Sequence, residues 1–165
     1  MIQTPEEEKI VKKRLKIFLF IFLLLMIGPL AIVGNYLSHD YKLFQLGLSY
    51  RQIKHPATTT YIATMRKTGH LGGNGRHMDY LVAEFRSYEG TPEALRQSYA
   101  AQQVTNPIDG KREDVQLSFE MQDDPYSPDV LKEWEKQQPI VSGKQYYVVY
   151  ADFYGDEPWF DIRGY

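Results

Sequence analysis

The densest group of residues able to do chemistry is Gly69-His70-Leu71-Gly72-Gly73-Asn74-Gly75-Arg76-His77-Met78-Asp79. Two chemistries fit it. The backbone amides of Gly72, Gly73, Asn74 and Gly75 can form a concave nest for an anion, with Arg76 as a planar bidentate donor. Alternatively His70, His77 and Asp79 supply metal ligands. His77 and Asp79 stand two apart and share one face of a strand, and His70 can fold back over the loop. The stretch is neither a P-loop nor a dinucleotide fingerprint, because no Gly-Lys-Ser/Thr follows and the next residues read as strand, not helix. A reading without any ligand competes with both: the glycines supply positive φ for a hairpin loop, and the charged side chains are solvated.

Other chemistry is thinner. Asp123, Asp124 and Asp129, and separately Asp156, Glu157 and Asp161, are carboxylates that would suit calcium, but they lack the fixed spacing of a calcium loop. His55, His70 and His77 with Ser49, Ser87 or Ser98 permit hydrolytic triads on paper. Neither a Gly-x-Ser-x-Gly elbow nor a His-Glu-x-x-His motif accompanies them. The sequence implies no cofactor and favours a binding role over an enzymatic one.

The elements that must hold the loop are legible around it. Residues 57–65, with Thr58-Thr59-Thr60-Tyr61-Ile62, read as a strand, and residues 78–86 as a second. Four glycines between positions 69 and 75 make the pair a hairpin with a long connection. Thr91-Pro92-Glu93 is a helix start, with a hydroxyl N-cap, proline at the first position and an acid in the first turn. That helix is expected to reach about residue 103 and to bury Leu95 and Tyr99. Val115, Leu117, Phe119 and Met121 alternate with polar residues, a strand with one wet face. Ser127-Pro128-Asp129 opens a short helix whose inner side is Val130, Leu131 and Trp134. Residues 145–154 form the strongest strand, and residues 159–163 a terminal one.

Upstream stands a different kind of segment. Residues 17–37 contain no charge. At about 1.5 Å of rise per residue such a helix spans roughly 30 Å, the thickness of a bilayer's hydrocarbon core. Lys12, Lys13, Arg14 and Lys16 abut it, while beyond it the first bases are Lys42 and Arg51. The positive-inside bias then puts the N-terminus in the cytoplasm and residues 38–165 outside. A cleaved signal peptide would need a small-x-small site after a shorter apolar core. The nearest candidate, Ala31-Ile32-Val33, fits poorly, so a retained anchor is expected. Gly28-Pro29 would bend the helix without breaking it. The helix should continue past the membrane, because Leu37, Tyr41, Phe44 and Leu48 keep helical spacing and Leu43, Leu46, Tyr50 and Ile53 repeat it on an adjacent face. Lys54-His55-Pro56 ends it.

Composition bounds the rest. The 165 residues carry a net charge of −2, which excludes the strongly basic balance of a nucleic-acid binder. Residues 38–112 hold ten bases and six acids, whereas residues 113–165 hold four bases and twelve acids. Cysteine is absent, which removes disulfides, thiolate catalysis and cysteine zinc sites. No Asn-x-Ser/Thr acceptor occurs either, which fits a bacterial cell envelope.

The expectation is therefore an α+β chain in four parts. Residues 1–16 form a cytoplasmic tail, 17–37 a single-pass transmembrane helix and 38–56 a juxtamembrane helix. Residues 57–165 form an extracytoplasmic domain with one small sheet of order ββαβαββ and its helices on one face. The expected function is a membrane-anchored binding or protein-interaction module. Its contact would be the juxtamembrane helix or the aromatic C-terminal strands, where Tyr146, Tyr147, Tyr150, Tyr154, Trp159 and Phe160 crowd. A protein partner or a second copy would bind there, and no nucleic acid. The alternatives are an anion- or metal-binding, even hydrolytic, domain built on residues 69–79, and a structural subunit assembling through its membrane helix. For the last, Gly28, Ala31 and Gly34 allow close packing although no Gly-x-x-x-Gly occurs.

Overall fold

The structure is a computed structural model that describes residues 5–69, 71, 78–119 and 129–155. It divides into two units, residues 1–37 and 38–165. Helix α1 runs Pro5–Tyr50 with Pro29 inside it. It is long and apolar enough to cross a membrane, by length and composition. In the first unit its large apolar side chains are exposed, from 39% at Met26 to 70% at Leu25.

The second unit is mixed. After the end of α1 come β1 (Thr59–Gly69), β2 (Asp79–Tyr88), α2 (Pro92–Tyr99), β3 (Gln103–Thr105), β4 (Arg112–Asp114), β5 (Gln116–Ser118), α3 (Asp129–Lys136) and β6 (Gln145–Tyr154). Four strands form one antiparallel sheet in the order β1-β2-β6-β5. The other two form a separate ribbon, β3 with β4. That ribbon corrects the expectation of a single sheet: three-residue strands are too short to show a period, and Asn106-Pro107 and Asp109-Gly110 read only as a loop. The proposed terminal strand at 159–163 lies outside the described residues.

The hairpin follows its chemistry. Thr59 pairs with Tyr88 at one end and Gly69 with Asp79 at the other, with a register irregularity between Tyr61 and Ala63. Thr91 caps α2 as its sequence requires, its hydroxyl accepting from the Ala94 amide at 3.3 Å. α2 nevertheless stops at Tyr99, short of residue 103, and β3 begins almost at once. α1 ends in a tightening turn, with the amides of Gln52 and Ile53 donating to the carbonyls of Ser49 and Tyr50.

The core has two faces because β2 and β6 are apolar on both. On the first face Tyr80, Val82, Tyr147, Val149, Ala151 and Phe153 meet Leu46, Tyr50 and Ile53 from the end of α1 and its turn, and Leu95 and Tyr99 from α2. On the second, Leu81, Ala83, Phe85, Val148 and Tyr150 meet Leu131 of α3, with Val130 and Trp134 beside it. The helices therefore cover both faces, not one. The physical reason is parity: consecutive residues of a strand point opposite ways, so an uninterrupted apolar run such as 146–151 must be covered twice.

Two expectations about aromatic and apolar surface change accordingly. Tyr147 and Tyr150 are buried on opposite faces, and Tyr146 stacks on Phe85 with ring centroids 5.3 Å apart. Among the described aromatics of β6, Tyr154 is the one that stays exposed. The two stripes of α1 also part company. Leu43, Leu46, Tyr50 and Ile53 pack on the first core. Tyr41, Phe44 and Leu48 remain 59%, 55% and 44% exposed.

Candidate functional site

Of the residues proposed from sequence, His70, Gly72, Gly73, Asn74, Gly75, Arg76 and His77 lie outside the described residues. Asp79 is described. It opens β2, is buried, and its Oδ2 accepts the Leu71 amide at 2.7 Å. A carboxylate that takes a backbone N–H across the loop mouth clasps the hairpin. Among the described residues no group of three or more His, Asp or Glu side chains could hold a metal ion. Of the acids considered for calcium, Asp129 sits in the first turn of α3 with Lys132 Nζ 3.7 Å from its carboxylate. Asp123, Asp124, Asp156, Glu157 and Asp161 lie outside the described residues.

Of the residues considered for a triad, His70 and His77 lie outside the described residues, and the hydrogen bonds of Ser49, Ser98 and His55 are made to other groups. Ser98 Oγ donates to the Ala94 carbonyl, and Ser49 Oγ accepts the Thr105 amide at 2.7 Å. His55 instead turns to Tyr99 and to the carboxylate of an ion pair. This cluster, where the turn after α1 meets β2, α2 and β6, is the chemistry that the sequence reading missed.

The cluster is built from the strand outward. Even-numbered residues of β2 face the first core, so Glu84 and Arg86 share a face with Tyr80 and Val82. A charge on that face requires a partner, since an unpaired buried ion costs several kcal/mol. Arg86 Nη1 lies 2.6 Å from Glu84 Oε2, and Arg86 Nε donates to Thr59 Oγ1 at 3.3 Å. His55 Nε2 lies 3.4 Å from the same Glu84 oxygen. The other ring nitrogen, Nδ1, is 2.7 Å from Tyr99 Oη, and Tyr99 Oη is 2.9 Å from Tyr147 Oη. Tyr50 closes the group, donating its hydroxyl to the Val149 carbonyl at 2.7 Å.

Burial sets the protonation states. It pushes the Tyr99 hydroxyl up, helped by the hydrogen bond to Tyr147, and it pushes Tyr50 up with help from the Glu84 charge. His55 is held below its ordinary value of 6.5, first by burial and then by the Arg86 charge, with Glu84 pulling the other way. At neutral pH Tyr50 and Tyr99 are thus neutral phenols and His55 a neutral imidazole, beside the Glu84–Arg86 ion pair. Such an arrangement can pass or redirect hydrogen bonds. Tyr99 also contributes to the wall of a cleft of about 410 Å³ with Arg96, Ala100, Asp114, Val115 and Leu117.

A smaller polar pair stands on the same face. His39 of α1 is buried with its Nδ1 on the Tyr80 hydroxyl, and Lys42 Nζ lies 5.9 Å from the Tyr80 ring centroid. A signal for both groups was present in the sequence. His39 extends the buried stripe Leu43, Leu46, Tyr50 and Ile53 by one helical step, and the parity of β2 sends Glu84 and Arg86 inward.

No family model, curated protein or solved structure matches this chain.

Proposed function

We propose that this chain is a membrane-anchored interaction module, with its N-terminus in the cytoplasm and its α+β domain outside. The observation that supports the reading is the apolar surface that α1 leaves uncovered. Ile17, Phe18, Leu19, Phe20, Ile21 and Phe22 are each at least half exposed. Water is a poor solvent for that much contiguous apolar surface, and hydrocarbon is a good one. Beyond residue 37 the same helix exposes Tyr41, Phe44 and Leu48, while Leu46 and Tyr50 are fully occupied by the core. An exposed apolar stripe on an otherwise well-packed unit suits a protein contact, and among the described residues β6 buries most of its aromatics and leaves the stripe to offer one.

The test combines placement and contact. The 165-residue chain, expressed with a reporter at its C-terminus, should resist alkaline extraction from membranes, keep its full mass, and show reporter activity on the outer side only. A photocrosslinker at position 44 should then give a discrete protein adduct in native membranes, and one at the buried position 46 should not. Release by alkali, loss of the first 30 or so residues (about the length of a signal peptide), or adducts to lipid alone would overturn the reading.

A further inference from the structure

The hydrogen bonds around His55 have a direction, and that direction depends on one proton. A neutral imidazole carries one donor and one acceptor nitrogen. Glu84 is paired with Arg86 and its carboxylate only accepts, so the charge 3.4 Å from Nε2 favours the hydrogen on that nitrogen. Nδ1 is then the acceptor and takes the Tyr99 hydroxyl proton at 2.7 Å. Tyr99 has spent its donor, so it accepts from Tyr147 at 2.9 Å. The hydrogen bonds run Tyr147 to Tyr99 to His55, with Nε2 facing the Glu84 carboxylate.

Protonation of His55 turns both ring nitrogens into donors. Nδ1–H now points at Tyr99, which must give its own proton to Tyr147, and Tyr147 must send its hydroxyl elsewhere. Tyr147 is fully buried, and the rings of Tyr88, Tyr99 and Phe119 pack against it at centroid distances of 5.7, 6.1 and 6.0 Å. Among the described residues these rings are what the redirected hydroxyl meets, and it has then exchanged a good acceptor for a poor one. We propose that this wire is an acid-sensitive latch, in which a proton on His55 reverses the hydrogen bonds through Tyr99 to Tyr147 and loosens α2 and the end of α1 from the sheet.

The surrounding groups set its bias. From β2, Arg86 opposes the proton and Glu84 favours it, with burial adding to the opposition. From α1, Tyr50 has committed its proton to Val149 and offers none to the exchange. From β1, Thr59 holds Arg86 in place. Lys54, next to His55, is exposed, and its amide reaches Gln102 Oε1 at 3.4 Å. Since His55 sits below its ordinary value, the folded state resists a proton that the unfolded chain accepts. Stability is whole above the unfolded value and falls as pH drops through 6.5 toward the folded one.

The experiment uses the 165-residue chain in detergent micelles. Nitrogen-15 spectra of the His55 ring at pH 7.5 should show the Nε2–H tautomer. Amide hydrogen exchange over residues 92–99 should speed up by about tenfold between pH 7 and pH 5 beyond the intrinsic change, as a local opening made easier would produce. His55→Gln, which keeps one donor and one acceptor but cannot titrate, should abolish that acceleration. Tyr147→Phe should blunt it, because the reversed wire no longer ends in a stranded hydroxyl. An Nδ1–H tautomer at neutral pH, unchanged protection of α2 between pH 7 and 5, or an equal acid response in His55→Gln would each overturn the latch. If His55→Gln does not fold, the wild-type tautomer and exchange data still decide.

Discussion

Glu84 and Arg86 stand two residues apart on the same face of β2, with Arg86 Nη1 2.6 Å from Glu84 Oε2, and both side chains are largely withdrawn from water. The pair is the electrostatic centre of the first core face. His55 Nε2 lies 3.4 Å from the same Glu84 oxygen, so the carboxylate faces a guanidinium and an imidazole together.

Removing one partner strands the other. Arg86→Ala should cost about 3 kcal/mol, the low end of the range for a broken buried pair because Glu84 keeps some contact with water. Replacing both with apolar residues of similar volume, as in Glu84→Leu with Arg86→Met, should recover most of that loss. Urea unfolding of the 165-residue chain in mild detergent reads both. A double variant as unstable as the single one would show that the pair itself, not its imbalance, holds the fold.

Two glycines should respond in opposite directions to the same substitution. A Cβ on Gly155 would lie 2.8 Å from the Met78 carbonyl oxygen and 2.9 Å from Tyr80 Cε2, against backbone and a fully buried ring. Gly155→Ala should therefore destabilise by about 1–3 kcal/mol, as overpacking does. On Gly47, inside α1, the Cβ would meet the exposed Arg66 side chain, 3.1 Å from Nη1. A guanidinium at the end of a long stem can step aside, so Gly47→Ala should stabilise by roughly 0.5–1 kcal/mol through helix propensity. Thermal unfolding of the two variants side by side gives the signs.

How far the sequence foretold this depends on the range of the interaction. The hairpin, the Thr91 cap and the inward alternation of Val115, Leu117 and Phe119 were legible because each is set by neighbours within a few residues. The tight end of α1 at Tyr50 and the three-residue strands β3 and β4 were not, since they leave no periodic trace. Nor does a run such as 146–151 say which helix covers which face; the choice of α3 for the Phe85 side is made by long-range packing around Leu131. The candidate site shows the same split. A glycine-rich loop attracts notice locally, whereas His55, Glu84, Tyr99 and Tyr147 are scattered over 93 positions and meet only through the β2–β6 register.

Asp152 supplies a pH-dependent prediction of the opposite sense to His55. Burial raises its carboxyl above the usual 3.8, with the nearby Asp79 charge adding to the rise, while the hydroxyl of Tyr154 and the amide of Gln116 hold it down. A carboxyl with a raised folded value is penalised when charged, so its contribution is best below the unfolded value and is lost as pH rises through the folded one. Asp152→Asn should thus stabilise the chain at pH 7, and the advantage should shrink to nothing below about pH 4, the ordinary carboxylate range. Gln116 Nε2, 2.8 Å from Oδ1, retains an acceptor in the variant. Unfolding midpoints at pH 7 and pH 3.5 check this, and an equal gain at both would remove charge as the cause.

Leu46 and Phe44 separate the structural from the functional face of α1. Leu46 is fully buried in the first core, whereas Phe44 is 55% exposed two residues away. Leu46→Ala should cost about 2–5 kcal/mol, the transfer and cavity terms together. Phe44→Ser should change stability by no more than about 0.5 kcal/mol, as surface substitutions do, while weakening any contact made through the stripe. Unfolding measurements paired with crosslinking at position 41 in native membranes distinguish the two outcomes. A large stability loss in Phe44→Ser would mean that this side of α1 belongs to the domain's own packing, and the proposed interaction surface would have to be sought elsewhere.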